Sequence, residues 1–177
     1  MMHPGGPPTL ETERLLLRPH TLADVEPSYC MNLDSEVSRY TQDGGVVDRA
    51  EIERRIRENV LGDYAKYGFG RLAVVLKGTD AFIGFAGLKY LPDRDEVDLG
   101  YRLISSQWGK GLATEACRAC VDWGFDVLGL ERIIALVLPD NLASVRVLEK
   151  LGFAHEQDVE EDGAPARLYA LHRDRTT

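Results

Sequence analysis

Apolar residues in the first third of the chain follow one strand and then two helical stretches. Residues 13–18, with three consecutive leucines between charged residues, predict a short strand. Thr21 and Asp24 stand at capping-box spacing, so we expect a helix from there to about residue 33. Asp48 and Glu51 repeat the capping signal ahead of apolar residues at helical spacing, which predicts an amphipathic helix up to about residue 67.

The middle of the chain predicts an antiparallel meander of three strands. Residues 72–77 and 81–90 flank a short polar turn, which predicts a β-hairpin. The next predicted strand, residues 96–104, has one apolar and one polar face. Its polar face carries Glu96, Asp98, Gly100 and Arg102.

Beyond residue 106 the pattern becomes helical and then strand-like again. An apolar stripe predicts an amphipathic helix that ends before Gly129. The stripe consists of Leu112, Ala116, Ala119, Cys120, Trp123 and Val127. Residues 132–138 are apolar apart from Arg132, as in a strand covered on both faces, and complete a βαβ crossover. A helix beginning at Asn141 and strands near residues 153–159 and 167–172 follow. These elements predict a single α/β domain with a mixed, mostly antiparallel sheet.

Composition and charge narrow the classes of function. The 177 residues carry a formal net charge of −8, the wrong sign for a nucleic-acid backbone but suited to cationic partners. Uncharged apolar runs are far shorter than the roughly 20 residues of a membrane helix, so we expect no membrane partner. Residues 1–11 lack the apolar core of a secretion signal. We therefore expect a flexible tail over 1–11, a domain over 12–173 and a cytoplasmic location.

The cysteines and histidines predict neither disulfides nor a metal site. Three cysteines are an odd number, which argues against a disulfide framework. Cys117 and Cys120 fall inside a predicted helix with no second ligand pair nearby in the sequence, so we expect them to pack in the core. The four histidines show no ligand spacing.

The most informative segment is Ser-Gln-Trp-Gly-Lys-Gly-Leu-Ala-Thr at residues 106–114, between a predicted strand and the first turn of a helix. A helix start presents unpaired backbone N–H groups and a partial positive charge, and glycines let a ligand approach them. Gly109 and Gly111 therefore predict a site for a phosphate-bearing cofactor. The alternative, in which both glycines only serve a tight turn, stays open here.

Two familiar nucleotide motifs fit this loop poorly. A P-loop requires Ser or Thr directly after Gly-Lys, but Gly111 follows Lys110, so the magnesium ligand is missing. A dinucleotide-binding fold needs a third glycine where Thr114 stands and an acidic residue at the end of the next strand, which Glu131 instead begins. The dinucleotide fold stays as a weaker alternative.

Four segments resemble the GNAT superfamily of N-acetyltransferases. Residues 108–116, Trp-Gly-Lys-Gly-Leu-Ala-Thr-Glu-Ala, resemble its acetyl-CoA loop, although Trp108 stands where Gln or Arg is usual. Three segments resemble the RimJ/RimL-like branch of ribosomal-protein N-terminal acetyltransferases. They are Thr-Glu-Arg-Leu-Leu-Leu-Arg at 12–18, Asp-Leu-Gly-Tyr at 98–101, and Asn141-x-x-Ser144 with Leu-Glu-Lys-Leu-Gly-Phe at 148–153. The resemblance covers roughly residues 12–173 and implies a splayed parallel strand pair with helices on both faces of the sheet.

The resemblance implies which residues hold acetyl-CoA. In the family, amides of the loop and first helical turn bind the pyrophosphate, and the preceding strand pairs through its backbone with the pantetheine arm. The pyrophosphate residues here would be Gly109, Lys110, Gly111, Leu112 and Ala113, with Thr114 beside them. The pantetheine residues would be Leu103, Ile104 and Asn141, the last of which is also a natural helix N-cap.

The resemblance also implies catalytic roles. Asp98 matches the position of a general base, and its short side chain favours a water relay. Alternation along the strand otherwise indicates that Asp98 lies on a solvated face. Ser144 lies where the family places the cofactor sulfur and would protonate the leaving thiolate, while a first-turn serine also commonly bonds backbone. Glu160 and Glu161 match a second acidic position, so the identity of the base stays open.

These observations predict an acetyl-CoA-dependent N-acetyltransferase that acts on a primary amine without a metal. An aspartate base suits an α-amino group, with a pKa of about 7.7–8.0, better than a lysine side chain at about 10.4. We therefore expect a protein or peptide N-terminus as acceptor, with basic acceptors attracted by the acidic chain. The alternatives are a small amine such as an antibiotic, polyamine or amino acid, and a catalytically silent acyl-CoA-binding module. The expected assembly is a monomer or homodimer.

Overall fold

The computed structural model describes residues 1–41 and 48–174 of the chain. Its strands are β1 (Leu10–Glu11), β2 (Leu15–Pro19), β3 (Arg71–Leu76), β4 (Ala81–Leu91), β5 (Glu96–Leu103), β6 (Arg132–Val137), β7 (Ala154–Glu161) and β8 (Ala164–His172). Its helices are α1 (Val25–Leu33), α2 (Ser35–Ser38), α3 (Arg49–Arg54), α4 (Leu61–Tyr67), α5 (Leu112–Asp126) and α6 (Leu142–Lys150). Shorter helical segments are 3₁₀ turns at Leu22–Asp24 and Ser105–Gln107 and a π-helical stretch at Arg55–Val60.

Within the described residues, the strands form one eight-stranded sheet in the order β1-β2-β3-β4-β5-β6-β8-β7. Strands β5 and β6 run parallel, share one paired position, Asp98 with Ile134, and are joined by α5. The other neighbouring strands of this part of the chain are antiparallel. The prediction of an α/β fold with a mixed, mostly antiparallel sheet and a splayed parallel pair is confirmed.

Local sequence signals determine where several helices begin and end. Thr21 and Asp24 form the predicted capping box before α1. The Asp48 carboxylate accepts the amide of Glu51 at 2.8 Å and begins α3. The helical stretch then continues to Gly68, which ends α4 with a φ of 80°. The second predicted helix therefore has the expected ends, with the π-helical stretch inside it.

The buried face of α5 is rotated relative to the predicted stripe. Val127 is 54% exposed, whereas Cys117 and Cys120 are buried free thiols, as expected for packing. The buried positions are Leu112, Ala116, Cys117, Cys120, Val121 and Gly124. A Cβ added to Gly124 would lie 2.6 Å from Leu88 Cδ1 on β4. Because glycine carries no hydrophobic signal, the apolar periodicity misses this close contact.

The N-terminal segment makes defined contacts in the structure. The amide of His3 donates to the carbonyl of Tyr67 at 2.7 Å, and the His3 imidazole packs edge-on against Trp123. Leu10–Glu11 pairs with β2. The boundary between a flexible tail and the domain therefore stays a prediction. Separately, none of the helices in the described residues is both long and apolar enough to cross a membrane.

Candidate active site

Two adjoining cavities lie between β5 and the elements that follow it. The first, about 410 Å³, is lined by the loop before α5 and by the first turns of α5 and α6. The second, about 320 Å³, is lined mainly by β5, β6 and the segment after β6. Both cavities are lined by Tyr40, Thr41, Tyr101, Arg102, Asn141 and Ser144. The cavities therefore meet where β5 faces the start of α6.

The loop before α5 forms an open cradle at a helix N-terminus. Gly109 and Gly111 have φ values of 72° and 76°, in the left-handed region that glycine adopts without strain. Among the described residues, a Cβ on Gly109 would meet no atom within 4 Å, and one on Gly111 would meet only Arg14 Nη2, at 3.6 Å. The first-turn amides and the dipole of the 15-residue helix α5 add to this cradle. The geometry fits an anion such as a pyrophosphate.

The motif at residues 12–18 holds this loop in place. The Nη1 of Arg14 donates to the carbonyl of Lys110 at 2.9 Å, and its Nε donates to the Glu115 carboxylate at 2.7 Å. The Thr12 hydroxyl and the Arg14 amide donate to the other Glu115 oxygen at 2.6 and 2.9 Å. The segment before β2, the loop and α5 are thereby joined.

The backbone groups of Ile104, which were predicted to pair with a pantetheine arm, are bonded within the chain. The Ile104 amide donates to Ile83 at 2.9 Å, and its carbonyl accepts from the following 3₁₀ turn at 3.0 Å. Ile104 has no backbone group left for an arm, because the chain is still bonded to β4 there. Alternation turns the backbone groups of Tyr101 and Leu103 toward β6, and the Leu103 carbonyl accepts the Trp108 indole N–H at 2.9 Å.

Most of the expected cofactor residues come together at the first cavity. Those that line it are Leu103, Gly109, Gly111, Leu112, Ala113, Thr114 and Asn141. Ile104 and Lys110 do not line it, and Lys110 is exposed. Asn141 is the N-cap of α6, since its Oδ1 accepts the amide of Ser144 at 3.2 Å. The placement does not test the roles of these residues, which stay predictions.

Asp98 is buried, in contrast to the solvated face that strand alternation suggests. It is only 7% exposed and lines the second cavity. Its Oδ2 accepts from Arg71 Nη2 at 2.5 Å, and its Oδ1 accepts the Leu136 amide at 3.2 Å. The guanidinium lies over Gly100, where an added Cβ would clash with it. Burial raises the pKa of Asp98, and the ion pair with Arg71 opposes that rise.

The two glutamates of the second acidic position differ in placement. Glu161 lines the second cavity, and its Oε2 pairs with Arg94 at 2.7 Å. Glu160 does not line either cavity, and its carbonyl accepts from Arg94 at 3.1 Å. Glu161 is therefore the better placed alternative base. Across residues 1–41 and 48–174, no group of three His, Cys, Asp or Glu side chains is arranged to hold a metal ion.

The chain matches the family model described as acetyltransferase (GNAT) domain over residues 14–154. The chain belongs to the GNAT acetyltransferase family. It is similar to the uncharacterized N-acetyltransferase YoaA of Bacillus subtilis, with 33% identity over 177 residues, 95% of this chain and 98% of the relative. This GNAT protein is an acetyl-CoA-dependent acetyltransferase.

Two solved structures have the same fold as this GNAT acetyltransferase. RimL, a ribosomal L7/L12 alpha-N-protein acetyltransferase in complex with coenzyme A, has a TM-score of 0.78 at 18% identity, over 94% of this chain and 99% of its own. The aminoglycoside acetyltransferase AAC(6')-Ib in complex with coenzyme A has a TM-score of 0.74 at 23% identity, over 90% of this chain and 95% of its own. At these identities the likeness shows the fold alone, and the class of acceptor does not follow from it.

We expect Gly111→Val to weaken acetyl-CoA binding by about tenfold or more, because its side chain would enter the cradle from a strained backbone. Gly129→Val is the matched control. Gly129 lies just beyond the other end of α5 with a φ of 68°, and an added Cβ meets no described atom within 4 Å. Isothermal titration calorimetry on both folded variants decides the point. Equal affinity in the two variants would show that Gly111 is only a turn residue.

Proposed function

We propose that this acetyltransferase acetylates the α-amino group of a peptide or protein, with acetyl-CoA in the first cavity and the acceptor in the second. The pairing of the acidic groups carries this proposal. Asp98 is paired with Arg71 at 2.5 Å and Glu161 with Arg94 at 2.7 Å. The described lining of the second cavity therefore offers no unpaired carboxylate for the further cations of a polyamine or aminoglycoside, and Lys89 also lines it. An acceptor with one reacting amine fits better.

The first cavity would hold acetyl-CoA, which supplies an activated thioester. The proposed pyrophosphate contacts are the amides of Gly109, Lys110, Gly111, Leu112 and Ala113, with the Thr114 hydroxyl beside them. Backbone groups of Tyr101 and Leu103, directed toward β6, would pair with the pantetheine arm, and Asn141 would contact it from α6. This arrangement directs the acetyl end to the junction of the two cavities.

The proton of the acceptor amine limits the chemistry in the second cavity. An α-amino group, with a pKa of about 7.7–8.0, is partly neutral at physiological pH, whereas a lysine side chain at about 10.4 is almost fully protonated. The ion pair with Arg71 makes Asp98 a weak base, which suits an amine that is already partly neutral. We therefore assign to Asp98 the removal of the amine proton through a water molecule. Ser144, at the start of α6, would donate to the departing thiolate.

We expect Asp98→Asn to lower kcat by about 100-fold while changing the Kd of acetyl-CoA less than about threefold. The reason is that Asp98 lines the second cavity and not the first. Asp122→Asn, the same change at an exposed residue of α5 that lines neither cavity, is the matched control and should leave both constants unchanged. The substitution also removes the buried partner of Arg71, so we expect the free energy of unfolding to fall by about 3–5 kcal/mol. Unfolding is therefore measured in parallel. A folded variant with unchanged kcat would contradict the assignment and make Glu161 the next base to test.

Matched peptides test the class of acceptor. One peptide has a free N-terminus and blocked lysines, and the other has a blocked N-terminus and free lysines. We expect mass spectrometry to find acetylation only on the first. With basic residues downstream, its rate should fall as salt rises, because the net charge of −8 attracts cationic acceptors. Modification only at lysine, or turnover of a small amine with no peptide modified, would contradict the proposal.

A further inference from the structure

A hydrogen bond joins two hydroxyl groups at the junction of the cavities. The Oη of Tyr101 on β5 donates to the Oγ of Ser144 on α6 at 2.9 Å. Both residues line both cavities, so the pair lies between the proposed sites of acetyl-CoA and acceptor. Tyr101 is partly buried against the core, and its hydroxyl has no role in the function proposed so far.

The chemistry of the two hydroxyls gives this bond a direction. A phenol is more acidic than an aliphatic alcohol, so the tyrosine is the better donor and the serine oxygen the better acceptor. Burial raises the pKa of Tyr101, which keeps the phenol protonated at physiological pH. The backbone of Ser144 is fixed as well, because its amide donates to Asn141 Oδ1 at 3.2 Å. The one hydrogen of the Ser144 hydroxyl is then left to point at another acceptor.

We propose that Tyr101 is a positioning residue, which orients the Ser144 hydroxyl so that its hydrogen points at the sulfur of acetyl-CoA. The pair stabilises the departing thiolate by donating a hydrogen bond and does not transfer a proton to it. This inference rests on the proposed function in one respect, the location of the cofactor sulfur near Ser144.

The electron balance of the step explains why donation suffices. The lone pair of the amine forms the bond to the acetyl carbon, the carbon–sulfur bond breaks, and its electrons leave on sulfur as a thiolate. A thiol has a pKa of about 8.5, far below that of an aliphatic alcohol, so moving the serine proton to sulfur would be uphill. The thiolate takes its proton from solvent after release, and the proton of the amine leaves through water. A donor chain from Tyr101 through Ser144 strengthens the final hydrogen bond to sulfur.

Tyr101→Phe tests the proposal, because it removes the hydroxyl and keeps the ring that packs against the core. With any primary amine that the wild type turns over, we expect kcat to fall about tenfold while the KM of acetyl-CoA stays within about twofold. Tyr90→Phe is the matched control and should leave kcat unchanged, since its hydroxyl donates to Asp95 at 2.7 Å and Tyr90 lines neither cavity. If the phenylalanine variant fails to fold, Tyr101→Met gives the same comparison.

A double-mutant cycle separates this role from simple packing. Because Tyr101 acts through Ser144, the variant carrying both Tyr101→Phe and Ser144→Ala should be no slower than Ser144→Ala alone, within about twofold. Losses that multiply, or an unchanged kcat in Tyr101→Phe, would overturn the proposal. The assay follows thiol release with whichever amine is used best. Failure of the α-amino preference would therefore leave this test intact.

Discussion

A buried ion pair between Asp98 and Arg71 is the contact on which the geometry of the active site depends. Strands β5 and β6 share the paired position Asp98 with Ile134, and two residues further along β6 the Leu136 amide bonds the Asp98 carboxylate. A side chain thus takes the place of a backbone partner, and the parallel ladder ends. The two cavities open beside this point, so the gap in which we propose that the cofactor arm binds depends on where the ladder stops.

The ion pair between Asp98 and Arg71 matters more for the positions of the strands than for the stability of the fold. Burying two charges costs free energy that their attraction only partly offsets, and apolar replacements are often as stable. Arg71 also donates to the carbonyls of Gly87 and Asp98, so one guanidinium connects β3, β4 and β5. Glycine at position 100 leaves the space through which the guanidinium reaches Asp98. We infer that the main effect of this pair is to fix the separation of the strands.

Features encoded within a few residues could be predicted from the sequence, and those created by the order of the strands could not. The helix-capping signals, the hairpin and the loop at Gly109 and Gly111 each depend on neighbours in sequence. Alternation misplaced Asp98 on a solvated face because its partner Arg71 lies 27 positions earlier and meets it only across the sheet. The same limit applies to Ile104, whose backbone amide is still bonded to Ile83 on β4.

Only some of the residues at the junction of the cavities could be predicted from the sequence. Ser144 and Asn141 stood out through the family motif, and their positions at the start of α6 agree with it. Tyr101 lies on the predicted apolar face of β5 with Val97, Leu99 and Leu103, so its pattern indicates a core position and gives no sign of a hydroxyl facing α6. Its contact with Ser144 spans 43 positions in the chain, which no local pattern reports.

A crystal structure of this acetyltransferase with coenzyme A tests the central claim most directly. The account predicts that the pantetheine arm lies between β5 and β6, bonded to backbone of Tyr101 or Leu103, with the sulfur at Ser144. It also predicts that the Asp98–Arg71 pair is intact in the complex. Coenzyme A bound outside this gap, or a broken ion pair with β5 and β6 joined along a longer ladder, would contradict it.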